Sequence, residues 1–164
     1  MIIELNELRF IGGYMEYQIK YATIEELNLW MELVRLVAWN FPGLETEELL
    51  EEYKSTVIKN IHRKSAICAV SNNKVIGILL FSTKYNMLCC MAVHPNYRKN
   101  GIAKLMIKEM MKNLDKSNDI IVDTFREDDC KGSAPRALYI SLGFEPDELI
   151  ENNGYPNQRF VLRA

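Results

Sequence analysis

Three short β-rich runs, residues 65–70, 75–81 and 87–93, follow one another with only turn-length gaps between them. Ser71-Asn72-Asn73-Lys74 has the composition of a hairpin turn, and Lys84-Tyr85-Asn86 separates the second run from the third. Gaps this short join antiparallel neighbours, so the middle of the chain predicts three consecutive antiparallel strands. The third strand leads into a polar loop, residues 94–101, and then into a helix over 102–114. In that helix Ile102, Leu105, Met106 and Met110 point inward and Lys104, Lys108 and Lys112 outward. Strands and helices sharing one short chain predict an α/β fold.

The flanks add elements in a readable order. A weakly alternating strand is expected at 17–21. Thr23 and Glu26 have capping-box spacing, and Leu27, Trp30, Met31, Val34 and Val37 recur at helical spacing behind them. Asn40-Phe41-Pro42-Gly43 breaks that helix, and a second one is expected over 46–61 with Leu49, Leu50, Tyr53, Val57 and Ile61 on its apolar face. After residue 114 the pattern predicts a strand at 119–125, a helix at 134–142 with Pro135 in its first turn and Gly143 as its stop, and a last strand at 158–162.

With 164 residues and 48% hydrophobic content the chain can build one core, and a single domain is expected. No stretch approaches the roughly 20 apolar residues of a membrane helix, and no leader precedes a cleavage site, so a cytoplasmic protein without a membrane partner is expected. Cys68, Cys89, Cys90 and Cys130 lack CxxC spacing and read as free thiols; no metal site is expected, and strand alternation places Cys89 and Cys90 on opposite faces. A net charge of -2 gives no reason to expect a nucleic-acid partner. Residues 1–14 read as an N-terminal extension. Ile11-Gly12-Gly13-Tyr14-Met15 can be encoded by a purine-rich stretch of the form of a bacterial ribosome-binding site, which points to synthesis starting at Met15. The other reading is a genuine segment that docks through Ile2, Ile3, Leu5, Leu8 and Phe10.

The loop that opens the 102–114 helix carries chemistry. A helix start leaves backbone N–H groups unpaired with partial positive charge, Gly101 keeps a Cβ out of a ligand's way, and Arg98 and Lys99 add full charges. A pyrophosphate suits this seat. Neither G-x-G-x-x-G nor G-x-x-x-x-G-K-[ST] is present, so the common nucleotide motifs do not explain it.

Arg98-Lys99-Asn100-Gly101-Ile102-Ala103, after Val93-His94-Pro95, resembles the R/Q-x-x-G-x-G/A signature of the GNAT superfamily of acyl-CoA N-acyltransferases. Leu138-Tyr139-Ile140-Ser141-Leu142-Gly143-Phe144 resembles that family's L-Y-x-x-x-G-F helix end, although Pro135 stands where the family often has alanine. The resemblance covers the chain from about Tyr17 onward. It implies a mixed, mostly antiparallel central sheet flanked by helices, and acetyl-CoA as acetyl donor to a primary amine on a small molecule or a protein. It implies that Met91, Ala92 and Val93 meet the pantetheine arm, that Arg98, Lys99, Asn100, Gly101, Ile102, Ala103 and Lys104 hold the pyrophosphate with Arg136 as a further cofactor contact, and that Tyr139 protonates the departing thiolate.

An amine must lose a proton before it attacks, and the family often places a glutamate on the strand that here reads Met87 to Ala92 and has no carboxylate. Asp123, the loop Glu127-Asp128-Asp129 and His94 are the candidate bases, with Asp123 placed beside Tyr139 as catalytic. Glu127 and Asp128 are also candidates to attract a cationic acceptor, and Trp39 and Phe41, at the break between the first two helices, to form its wall. The missing strand carboxylate leaves a second reading open, a non-catalytic acyl-CoA-binding regulatory module. Oligomeric state is open too; the C-terminal strand offers an edge through which a homodimer could form.

Overall fold

The computed structural model describes residues 9–11 and 15–164. Among them eight strands form one sheet in the order β1-β2-β3-β4-β5-β6-β8-β7. They are β1 (Arg9–Ile11), β2 (Met15–Tyr21), β3 (Ala66–Ser71), β4 (Lys74–Ser82), β5 (Met87–Val93), β6 (Ile120–Phe125), β7 (Glu145–Asn152) and β8 (Tyr155–Leu162). Every pairing is antiparallel except that of β5 with β6. This is the mixed, mostly antiparallel α/β fold that the family resemblance implies. No helix is long and apolar enough to cross a membrane among the described residues.

Helices α1 (Leu27–Val37) and α2 (Glu47–His62) cover one face of β3 and β4, α3 (Ile102–Met111) covers the other, and α4 (Ser133–Ser141) packs on β6. Two apolar cores result, one containing Trp30, Val57, Cys68 and Ile78, the other Tyr17, Ile67, Phe81, Met106, Tyr139 and Phe160. The local signals act as read. Asn72 and Asn73 have φ of 48° and 59°, the two left-handed residues of a tight hairpin turn. Thr23 and Glu26 close a capping box around a single 3-10 turn, and α1 continues from it. Thr46 caps α2 by accepting from the Leu49 N–H at 3.2 Å.

Three expectations change. Strand β7 is absent from the sequence reading because Glu145 to Asn152 is acidic and contains Pro146; as an edge strand it tolerates both. The C-terminal strand is therefore not an edge: β8 lies between β6 and β7, and the edge belongs to β7. The alternation at Cys89 and Cys90 is broken by a bulge, since Phe81 faces Leu88 while Leu80 faces Cys90, leaving Cys89 as the extra residue. As to the extension, β1 pairs with β2 through Arg9 to Ile11; residues 1–8 and 12–14, with most of the groups expected to dock, lie outside the described residues.

Candidate active site

Strands β5 and β6 touch only at Met87–Ile121 and Leu88–Val122, then part. The bulge at Cys89 bends β5 away just where pairing stops, so a cleft opens along the rest of β5. The backbone facing it follows from the register with β4. The His94 N–H donates to Ile76 O at 2.8 Å, which makes 76–94, 78–92 and 80–90 the hydrogen-bonded pairs of that ladder. Ala92 thus gives its N–H and C=O to β4, while Met91 and Val93 turn theirs to the cleft. Of the three strand residues expected to meet a pantetheine arm, Met91 and the Val93 N–H face the cleft without a partner among the described residues, the Val93 carbonyl takes Arg98 Nε, and Ala92 is turned to β4.

The cleft ends at the loop before α3. Lys99 and Gly101 both adopt left-handed backbone, with φ of 63° and 77°. The loop's carbonyls are engaged: Asn100 Nδ2 donates to Tyr97 O and Arg98 O, Tyr17 Oη donates to Asn100 O at 3.0 Å, and the Leu105 N–H donates to Gly101 O. The amides of Lys99, Asn100, Gly101, Ile102, Ala103 and Lys104 have no acceptor among the described residues. A run of such donors at a helix start, with Arg98 and Lys99 exposed beside it, is an anion cradle. The space beside Gly101 is open, for a Cβ there would meet no heavy atom within 4 Å. Arg98 Nε also reaches Val93 O at 3.4 Å, tying cradle to cleft.

Tyr139 comes from the last turn of α4. The spacing Leu138-Tyr139…Gly143-Phe144 is that of a helix C-terminus: Gly143 is left-handed, its N–H donates to Ile140 O, and the Phe144 N–H donates to Tyr139 O. The Phe144 and Phe160 rings hold the phenol at 5.9 and 6.2 Å between centroids. Tyr139 is 5% exposed, and no group among the described residues hydrogen-bonds its hydroxyl. Burial, with Cys90 close by adding to it, pushes the phenol up from its ordinary value near 10. It therefore stays protonated and free to donate.

Two side chains the sequence reading treats as packing meet there, Cys90 close to Tyr139 and Tyr53 behind Cys90. Tyr53 Oη accepts from Trp30 Nε1 at 3.2 Å and lies 3.6 Å from Cys90 Sγ. Burial pushes the Cys90 thiol up to about 11 and the Tyr53 phenol well up too, so neither is a base near neutrality. Helical spacing marks Tyr53 as inward; nothing in the sequence marks what its hydroxyl meets.

The candidate bases are placed otherwise than a base requires. Asp123 is gripped by Arg159, with Nε to Oδ1 at 2.9 Å and Nη2 to Oδ2 at 3.1 Å. His94 accepts from the Asn96 N–H through Nδ1 and shapes the loop, and burial together with Lys74 and Arg98 lowers its pKa. Asp129 accepts from Tyr155 Oη at 2.5 Å and from the Lys131 N–H. Arg136 donates to Phe125 O and to Gln158 Oε1 and stacks over Phe160. Among the acceptor candidates, Trp39 and Phe41 line a cavity of about 360 Å³ with Leu44, Glu45, Lys131 and Tyr155, whereas Glu127 and Asp128 are exposed and do not line it.

Residues 62–146, slightly more than half of the sequence, match the acetyltransferase (GNAT) domain. The chain belongs to the GNAT acetyltransferase family. Its fold is shared with the PaiA N-acetyltransferase of Thermoplasma acidophilum in complex with coenzyme A, 19% identical, TM-score 0.65, over 90% of this chain and 99% of that one. It is also shared with yncA, a putative acetyltransferase of Salmonella typhimurium with acetyl-CoA, 12% identical, TM-score 0.68, over 90% and 93%. A GNAT-family acetyltransferase of Streptococcus agalactiae gives 14% identity and TM-score 0.67 over 96% and 99%. Among the curated proteins there is no match. Acetyl transfer is thus the class of chemistry for a GNAT chain with this cleft.

Proposed function

We propose that this protein transfers the acetyl group of acetyl-CoA directly to a primary amine, with both substrates bound at once. The observation that carries the reading is the run of six acceptorless amides, Lys99 to Lys104, continuous with the open backbone edge of Met91 and Val93. That geometry suits a long donor with a pyrophosphate at one end and a thioester at the other. The amine nitrogen forms a bond to the acetyl carbonyl carbon, the carbon–sulfur bond breaks, and the sulfur takes a proton from Tyr139. The amine sheds one proton to water before it attacks and a second afterwards, which restores Tyr139 through water, because Asp123 is held by Arg159, Asp129 by Tyr155 and the Lys131 N–H, and Glu127 and Asp128 lie exposed. The neighbours holding coenzyme A and acetyl-CoA support the choice of donor.

One observation favours a second reading, a non-catalytic acyl-CoA-binding regulator: β5 has no carboxylate and Asp123 is neutralised by Arg159. Free-thiol release from acetyl-CoA across polyamines, aminoglycosides, amino acids and peptides separates the two. Turnover on one acceptor class, lost in Tyr139→Phe, supports catalysis; tight acetyl-CoA binding without turnover on any acceptor supports the regulator.

A further inference from the structure

The cavity at the break between α1 and α2 is lined by two charges of opposite sign, Glu45, which keeps its charge while accepting an N–H, and Lys131. Its two nearest acids are occupied: both oxygens of Glu45 take the Gly43 N–H at 2.9 and 3.0 Å, and Asp129 takes Tyr155 Oη and the Lys131 N–H. Among the described residues the Lys131 ammonium has no ion-pair partner, although Asp129 is close enough to feel its charge. It faces aromatic walls, Trp39 at 72% exposure, Phe41, and Tyr155, whose ring lies edge-on to Phe125 at the end of β6. Because β5 and β6 run parallel, the end of β6 lies at the same end of the sheet as the open part of β5. At about 360 Å³ the cavity is near the small end of the range for small-molecule sites, about 300–1,000 Å³, which disfavours bulky polycations.

The geometry points to an acceptor that is an amino-carboxylate: an amine with an apolar or aromatic body lying among Trp39, Phe41 and Tyr155, and a carboxylate on Lys131. The acidic run Glu127-Asp128-Asp129 predicts, from sequence, a cationic acceptor. In the folded chain Asp129 is bonded to Tyr155 and to the Lys131 N–H, Glu127 and Asp128 lie off the cavity, and the cavity is lined by one anion and one cation, Glu45 and Lys131, a pair that matches an amino-carboxylate rather than a polycation. This assignment deepens the acetyl-transfer reading and rests on it for what happens to the amine, though not for binding.

The test uses phenylalanine, phenylalaninamide, phenethylamine and spermidine on the full chain with coenzyme A present. Turnover is read beside the fluorescence of Trp39, which Trp39→Phe removes, leaving the buried Trp30. Phenylalanine is expected to bind about tenfold or more tightly than its amide, as for a charged hydrogen bond. Lys131→Gln is expected to erase that preference and Lys131→Arg to keep it. Equal or tighter binding of the amide or spermidine, a preference that survives Lys131→Gln, or no fluorescence change with any of the four overturns the assignment. Carboxylate-selective binding without turnover upholds it while the catalytic reading fails; turnover indifferent to the carboxylate does the reverse.

Discussion

Gly77 on β4 is where the sheet meets the first turn of α3, and adding one methyl group there should disturb stability and cofactor binding together. A Cβ at residue 77 would lie 3.0 Å from Ile102 Cγ2, 3.1 Å from Met106 Cε and 3.2 Å from Ala69 Cβ. The methionine tip can turn away, but Ala69 has no rotamer to change and Ile102 is stiff at χ1, so α3 must lift at its start. Overpacking of this kind costs about 1–3 kcal/mol, and the strand regains about 0.5–1 kcal/mol on replacing glycine, leaving roughly 1–2 kcal/mol net. For a chain of this size that is a fall in Tm of about 2–8 °C. Ile102 also carries one of the cradle amides, so losing one hydrogen bond's worth, about 1 kcal/mol, weakens acetyl-CoA about fivefold. Thermal melts and calorimetric titration of Gly77→Ala read both quantities. An unchanged Tm with unchanged affinity would refute the packing argument, and a lower Tm with full affinity would separate α3 from the cofactor site.

Other outcomes follow from the same geometry. Gly101→Ala, in left-handed backbone without a neighbour to clash with, should lose about 1–2 kcal/mol of stability and weaken acetyl-CoA binding; full affinity in a calorimetric titration would take Gly101 out of the cradle. Removal of Arg159 as Arg159→Met leaves Asp123, whose side chain is 9% exposed, with only a long contact from Asn152 at 3.5 Å, so denaturant melts should show a loss of about 1–3 kcal/mol. With the amine proton going to water, kcat/KM should climb with pH up to the acceptor's own pKa and move with it between acceptors. Because burial raises the Tyr139 pKa, its acid form persists and no falling limb should appear below about pH 10; an ascending limb fixed near neutrality for every acceptor would mean that an enzyme base exists.

Much of the fold was legible because local chemistry and tertiary packing agree. The capping box at Thr23 and Glu26, the Asn72-Asn73 turn and the Gly143 stop each require a particular backbone shape that few residues allow. Strand β7 was not legible, since its acidic residues gain their sheet partner only once β8 is in place. The cofactor cradle could be read because its amides need only a loop, a glycine and a helix start that are contiguous in sequence. The acceptor side could not: Tyr53 meets Cys90 across 37 positions and Arg159 meets Asp123 across 36, and neither pairing has a local signature. Asp123 looked available as a base only because its partner lies on another strand.

The most direct test follows the backbone amide resonances of uniformly 15N-labelled protein as acetyl-CoA is added. Lys99 to Lys104, Met91 and Val93 are expected to shift most, with Tyr139→Phe binding in the same way while losing thiol release. Shifts centred on Trp39 and Lys131, with the amides of 99–104 unmoved, would contradict the placement of the donor and with it the mechanism.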